Sequence, residues 1–230
     1  VTTHPEPPLM NLSPFFLLPS LGRPQSLRRF FAHAKQTGMV AGGAVLLNRA
    51  DYLTRQPQYD AMGADGTLPA NWKLEVLETN TLGGKLNEWW RAHTNGQNEA
   101  VANPCPASAI GILQDDLIPR TPAWDTLLGA AVARHPFVSS GDGINHDRAT
   151  GAWVFDCGLL QATGWIFPPT LHHIAADDAW ETLASLVPGL YAHQPRVVLD
   201  HRNAQWGVGA RPDATTISIY SQAEWDRGCA

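Results

Sequence analysis

Cysteine is scarce in this chain: Cys105, Cys157 and Cys229 are the only three in 230 residues, and none belongs to a Cys-x-x-Cys pair. That spacing excludes a zinc ribbon and argues against a disulfide framework, so three free thiols in a reducing cytoplasm are expected. Long apolar runs are missing as well. Phe15–Leu18 stops at Pro19, far short of the roughly 18 residues that cross a bilayer, and no membrane span is expected. The N-terminus, Val-Thr-Thr-His-Pro-Glu-Pro-Pro, has no basic stretch leading into an apolar core, so no secretory signal is visible. Charged residues make up only 16%, with a net charge of -5 and a pI near 6.0. This excludes a global attraction to nucleic acid or to an anionic membrane and leaves room only for a local basic groove.

What the chain does have is apolar material, 44% of its residues, enough for one sizeable core. Its 20 glycines and 18 prolines imply many loops, yet no segment has the composition of a disordered linker and no internal repeat is present. Phe15–Pro19 reads as a buried strand. The turn Ser20-Leu-Gly-Arg-Pro24 leads into a helix whose Leu27, Phe30, Phe31 and Ala34 form one apolar stripe, with Gly38 at its C-terminal end. Met39–Leu47 predicts a second strand ending at Asn48-Arg-Ala-Asp51, followed by a loop. Trp72–Glu78 predicts a third strand, Leu82–Arg91 a helix and Ile110–Leu113 a further strand. Thr121–Arg134 predicts a helix with threonine as its cap and Pro122 at its first position. Such alternation indicates an α/β fold with a mainly parallel sheet. Phe137–Ser140 reads as another strand, and Gly141–Trp165 as a hairpin or loop platform. Asp177–Leu186 predicts a helix, and Arg196–Asp200 a short strand running into His201.

Three clusters follow apolar runs or open helices: Asp115-Asp116, Asp177-Asp178 and Asp200-His201. In open α/β sheets ligands bind beyond the carboxyl ends of the strands, where Asp116 and His201 can meet from different strands. Oxygen and nitrogen ligands completed by substrate phosphates suit Mg²⁺ or Mn²⁺. Simpler readings stand beside these. Asp115-Asp116 also suits a turn that caps the next helix, Asp177-Asp178 a favourable helix start, and His201 an ordinary partly buried histidine. Most of the nine tryptophans are accounted for by core packing, although Trp153, Trp165 and Trp180 could also stack on sugar rings.

The order of these residues resembles the GT-A-fold glycosyltransferases, in particular the small versions of phage and bacterial genomes, over about residues 15–206. Leu18-Pro-Ser-Leu-Gly-Arg-Pro24 resembles the first-strand turn that receives the nucleotide base, and Thr79–Asn87 the start of a nucleotide-facing helix. Gln114-Asp115-Asp116 resembles the Asp-x-Asp metal motif, with glutamine in place of the first acid. Asp177-Asp178-Ala-Trp180 resembles the acidic pair that supplies the base in inverting members, and His201 the late histidine that some members use on the metal.

The resemblance implies an α/β GT-A-like domain over 15–206, an N-terminal extension over 1–14 and a surface-wrapping tail over 207–230. It implies Asp116 and His201 as ligands of Mn²⁺ or Mg²⁺, and Asp178 with Asp177 as the catalytic acids. Pro19, Ser20, Arg23, Asp51, Asn87, Gln114 and Asp115 become neighbours of a nucleotide-sugar donor such as a UDP-sugar, with Asp115 on a ribose or phosphate. The expected reaction is inverting, metal-assisted sugar transfer to an acceptor hydroxyl on a modified DNA base, a protein or a glycan. It would take place in the cytoplasm, that of the host cell if the chain is phage-encoded. Two other readings remain open. His172-His173 and His146-Asp147 suit a metal-dependent phosphohydrolase, and Gln114 suits a catalytically silent nucleotide- or carbohydrate-binding module of the same fold.

Overall fold

A computed structural model of the chain describes residues 12–94, 107–144, 149–171 and 176–202. Its first half alternates strand and helix: β1 (Phe15–Ser20), α1 (Pro24–Gln36), β2 (Gly43–Asn48), α2 (Arg49–Ala64), β3 (Trp72–Leu77), α3 (Leu82–Thr94) and β4 (Ala109–Ile112). The second half is less regular: β5 (Leu117–Pro119), α4 (Trp124–Val132), β6 (Phe137–Gly141), β7 (Trp153–Asp156), α5 (Cys157–Thr163), α6 (Ala176–Leu186) and β8 (Tyr191–His201). The strands form one curled sheet in the order β3-β2-β1-β4-β7-β6-β8-β5. The β1–β2, β2–β3, β1–β4 and β6–β8 pairs are parallel, whereas β7 and β5 run against their neighbours.

Successive residues of the inner strands serve opposite faces, which is why β1 and β2 read as unbroken apolar runs. Phe16, Leu18, Val45 and Leu47 face a core closed by α1, α2 and α4, through Leu27, Phe30, Phe31, Tyr59, Met62, Trp124 and Leu128. Leu17, Ala44 and Leu46 face a second core with Leu86, Trp89 and Trp90 of α3, Leu160 of α5 and Trp180 of α6. The result is a three-layer sandwich whose parallel strands β1, β2 and β4 all end on one edge.

The first strand, the first helix with its buried stripe, and Gly38 at φ +74° just past the helix end follow the sequence reading. The second strand starts later than expected, at Gly43 rather than Met39, and the segment expected after it as a loop is α2. That helix begins at Arg49, capped by the Asn48 side chain, and it runs through a kink at Arg55 with Pro57 inside. The fourth helix starts at Trp124, not at Thr121. Thr121 is occupied elsewhere, its hydroxyl donating to Arg196 O (3.1 Å) and accepting from Val198 N (2.8 Å). Ala123, in the left-handed region at φ 51°, opens the helix, and its amide donates to Thr37 O at 2.7 Å.

The segment expected as a loop platform holds β7 and α5. The strand expected at Arg196–Asp200 is the end of the eleven-residue β8. Between Ser140↔Gln194 and Gly141↔Val198 the register of β6 against β8 jumps, leaving Pro195, Arg196 and Val197 without partners on β6. Beyond this bulge β8 turns to pair with β5, Leu117 opposite His201. Cys157 is disulfide-bonded, which corrects the expectation of three free thiols. Its partner lies outside the described residues, as do His146-Asp147, His172-His173, residues 1–11 of the extension expected over 1–14 and the tail expected over 207–230. No described helix is long and apolar enough to cross a membrane.

Candidate nucleotide and metal site

Two polar clusters occupy the edge where β1, β2 and β4 end. The first surrounds the turn that follows β1. The Ser20 hydroxyl donates to Asp115 Oδ2 at 2.6 Å and an Arg23 guanidinium nitrogen to Asp115 Oδ1 at 3.1 Å. Lys85, reaching up from α3, donates from Nζ to Ser20 O at 2.7 Å. Asp51, in the first turn of α2, accepts from Gly22 N (2.9 Å) and Tyr59 Oη (2.7 Å) on one oxygen and from Arg55 (2.7 Å) on the other. Three elements therefore hold one short turn, with Asp51, Lys85 and Asp115 almost fully buried.

Burial dominates the electrostatics of this cluster. It raises the Asp115 carboxyl above the usual carboxylate range, with Arg23 opposing and neighbouring Asp116 adding to the rise. Burial also brings the Lys85 ammonium down to about 8, against the pull of Asp115 and Asp51. The Tyr59 hydroxyl is pushed far up, first by burial and then by Asp51. A buried lysine beside two buried carboxylates and an arginine forms a charge-balanced nest that an anionic ligand can enter without meeting net negative charge.

The second cluster lies beside the first. Asp116 Oδ1 and His201 Nε2 stand 3.3 Å apart, brought together by the antiparallel β5–β8 ribbon. The ribbon is fastened at this point by Arg202 N to Asp116 O (3.0 Å) and His201 N to Asp142 O (2.9 Å). Burial works against the His201 imidazolium, but the hydrogen bond and charge of Asp116, followed by Asp142 and Asp115, outweigh it and raise His201. Burial pushes Asp116 upward, and the His201 hydrogen bond and charge, together with Arg23, bring it below its ordinary value.

Two donors bound at about 2.1–2.2 Å and at right angles to one another lie about 3 Å apart, so one carboxylate oxygen and one imidazole nitrogen at this separation fit adjacent positions on a divalent cation. Among the described residues no group of three or more His, Cys, Asp or Glu side chains converges. The pair therefore suits an ion completed by ligand oxygens rather than a site made wholly of protein.

The remaining residues singled out from the sequence are dispersed. Pro19 sits one position inside β1, paired with Leu46. Gln114 is half-buried in the turn before β5, and its carbonyl accepts from Leu117 N. The Asn87 amide holds a neighbouring loop: Oδ1 accepts from Ile166 N and Phe167 N, and Nδ2 donates to Phe167 O. Asp177 and Asp178 open α6, Asp178 exposed and Asp177 half-buried. That helix is docked by Trp180, whose indole donates to Ile166 O at 3.1 Å, and by Glu181, which accepts from Ala149 N at 2.5 Å.

Two residues of the site went unnoticed in the sequence. Lys85 carried one faint signal, a lysine on the helical face of Leu82, Leu86 and Trp89. Asp142, which accepts from Ile144 N (2.8 Å) and the Thr150 hydroxyl (2.6 Å) while its carbonyl holds His201, lies in a Gly-Asp-Gly turn that gave none.

No family model matches the sequence, and no curated protein does so either. Solved structures do match in fold. Glucosyl-3-phosphoglycerate synthase from Mycobacterium tuberculosis, in complex with Mn²⁺, UDP and glucosyl-3-phosphoglycerate, superposes with a TM-score of 0.56 at 16% identity, over 85% of this chain and 75% of its own. A protein of Desulfovibrio desulfuricans G20 described as a nucleotide-diphospho-sugar transferase gives 0.53 at 8% identity, over 93% of each chain. The fold is that of the GT-A nucleotide-diphospho-sugar transferases. The same GT-A architecture is found in 4-diphosphocytidyl-2C-methyl-D-erythritol synthase from Anaerococcus prevotii, with a TM-score of 0.50 at 9% identity over 82% of this chain and 88% of that one. In GT-A terms the Asp115 and Asp116 clusters occupy the carboxyl edge of the parallel strands, where open α/β sheets receive their ligands.

Proposed function

We propose that the protein is a glycosyltransferase that moves a sugar from a nucleotide-sugar donor to an acceptor hydroxyl, with a divalent cation and with inversion. The observation that carries this reading is the Asp116–His201 pair lying against the Ser20–Arg23–Lys85–Asp115 nest at the carboxyl edge of a GT-A sheet. The M. tuberculosis neighbour holds Mn²⁺ and UDP within the same fold.

In this reading Asp116 and His201 hold the cation, a mixed oxygen and nitrogen donor set that suits Mn²⁺ at least as well as Mg²⁺. A cation held there would offset negative charge on the departing diphosphate. Asp115 has two oxygens that each carry one hydrogen bond, which leaves acceptor capacity for a ribose hydroxyl. Arg23 and Lys85 supply positive charge to the diphosphate side. Ser20 and Asp51 hold the 20–23 turn in the shape the nucleotide meets, and Pro19 stiffens the strand behind it. Gln114 directly precedes the Asp115–Asp116 pair, and Asn87 acts indirectly by holding the 166–167 loop. Asp178, with Asp177 beside it, takes the proton from the attacking hydroxyl on the face opposite the leaving group, which inverts the anomeric centre.

A thermal-shift screen of nucleoside diphosphates and their sugars, with and without Mn²⁺, tests the reading. A ligand at a hundred times its Kd stabilises by about 2.7 kcal/mol, or about 5–10 °C for a chain of this size. Asp116→Ala is expected to lose the Mn²⁺-dependent part of the shift. Asp178→Ala is expected to keep the shift and lose transfer. No stabilisation by any nucleotide overturns the reading, and full transfer by Asp178→Ala removes that residue as the base.

A further inference from the structure

The outer face of the β5–β8 ribbon carries an unexpected concentration of positive charge. Arg120 and Arg202 both turn toward Asp200, at 2.6 Å and 3.9 Å, with their side chains 40% and 31% exposed. Helix α1 packs against β5 and brings Arg29 and His33, one turn apart, to the same place. The His33 imidazole is held below its ordinary value first by burial and then by Arg120, Arg29 and Arg202, with Asp200 opposing them. Three guanidinium groups and a histidine around one carboxylate leave a local surplus of about two positive charges, in a chain whose net charge is -5.

A surplus of this kind is costly unless something negative offsets it, and Asp200 cannot satisfy the whole set. Arg202 Nε is buried and has no hydrogen-bond partner among the described residues. Along the chain the patch runs directly on from the metal pair, on the opposite face of the ribbon. Arg202 follows His201 in the chain, its amide donates to Asp116 O, and the 141–144 turn closes over Asp200 so tightly that a side chain at Gly143 would meet Asp200 Oδ1 at 2.8 Å. Guanidinium groups offer forked donors that match the oxygens of a phosphate.

We infer that the face formed by Arg29, His33, Arg120 and Arg202 is an anion site that takes a phosphate group, free or as a phosphomonoester. The site does not depend on the glycosyltransferase reading.

Isothermal titration of the full chain with inorganic phosphate, in the presence of saturating UDP and Mn²⁺, tests the site. The variant Arg29→Gln/Arg120→Gln is expected to bind phosphate at least tenfold more weakly while keeping the UDP-induced thermal shift of the wild type. Both side chains are exposed and the Arg120–Asp200 pair is a surface one, so the variant folds. Equal phosphate affinity in variant and wild type overturns the site. So does an equal loss in the remote control Arg49→Gln, which would mean an adventitious ion only. Glycerol 3-phosphate is expected to compete with phosphate and glycerol is not. Phosphate binding without competition by glycerol 3-phosphate overturns the phosphomonoester form of the ligand and leaves free phosphate. A missing UDP shift in the wild type, with phosphate binding intact, counts against the glycosyltransferase reading alone.

Discussion

Lys85 offers the sharpest test of the nest, because its environment sets how stability depends on pH. Its side chain is 2% exposed, and burial lowers its pKa from 10.5 to about 8. Between pH 8 and 10.5 the folded protein has released this proton while the unfolded chain still holds it. Stability therefore rises with pH across that window, by about 1.4 kcal/mol per unit when the difference is complete. Below pH 8 both states are protonated and the contribution is flat. Tyr59 acts in the opposite sense, because its raised pKa keeps the folded state protonated where the unfolded tyrosine ionises, but this begins only near pH 10.

Over pH 8 to 9.5 the Lys85 contribution is thus about 1.5–2 kcal/mol. In urea, with a slope of about 2–3 kcal/mol per molar, that is a rise in midpoint of about 0.5–1 M. Lys85→Met removes the titrating group and keeps most of the side-chain volume. Urea unfolding of both proteins at half-unit steps from pH 7 to 9.5 should give a wild-type midpoint that climbs relative to the variant by this amount. Parallel profiles would refute the reasoning, because they would mean that Lys85 is as well solvated in the folded chain as in the unfolded one.

Asp125 is fully buried and accepts from Val40 N (2.8 Å) and Ala41 N (2.7 Å), pinning the segment before β2. Asp125→Ala should cost about 3 kcal/mol, or about 6–12 °C by scanning calorimetry, while Asp125→Asn, which keeps an acceptor, costs about 1 kcal/mol. Asn87→Ala should abolish the hydrogen-exchange protection of the Ile166 and Phe167 amides and leave nucleotide-induced stabilisation within a factor of two; loss of that stabilisation would make Asn87 a direct nucleotide contact. Ala123→Gly should raise stability by about 1 kcal/mol, since alanine pays for its left-handed backbone and glycine does not. An unchanged or lower denaturation midpoint would show that Ala123 sits there without strain.

The parts of the fold that could be read from sequence are those where local pattern and tertiary role agree. The Phe15–Leu18 run and the Leu27–Ala34 stripe are buried as their spacing implies. Helix α2 was hidden because Pro57 and the kink at Arg55 interrupt it and because only Asp51, Tyr59 and Met62 face inward, too few for a visible stripe. Thr121-Pro122 imitates a helix start, yet the long-range bonds of Thr121 to β8 decide its conformation. The first half of β8 has no alternation, its residues being half-buried on both faces.

The same contrast holds at the site. Ser20, Arg23, Asp115, Asp116 and His201 stand at element ends, where a strand's termination is audible in the sequence, and the structure brings them together. Lys85, set by burial, shows only as a lysine on an otherwise apolar helical face, and Asp142, set by loop geometry, leaves no periodic trace.

The unpaired residues Pro195, Arg196 and Val197 make β8 a strand that serves two masters, β6 below and β5 above. Because side chains alternate along a strand, this three-residue offset acts as a parity device for everything beyond it. An insertion or deletion of one residue there would carry the His201 imidazole to the outer face and turn Asp200 inward. A change of two preserves the inward imidazole, and the bulge has the slack to absorb it. The segment is therefore constrained in the evenness of its length rather than in its composition, and length variants of this protein should differ there by even numbers.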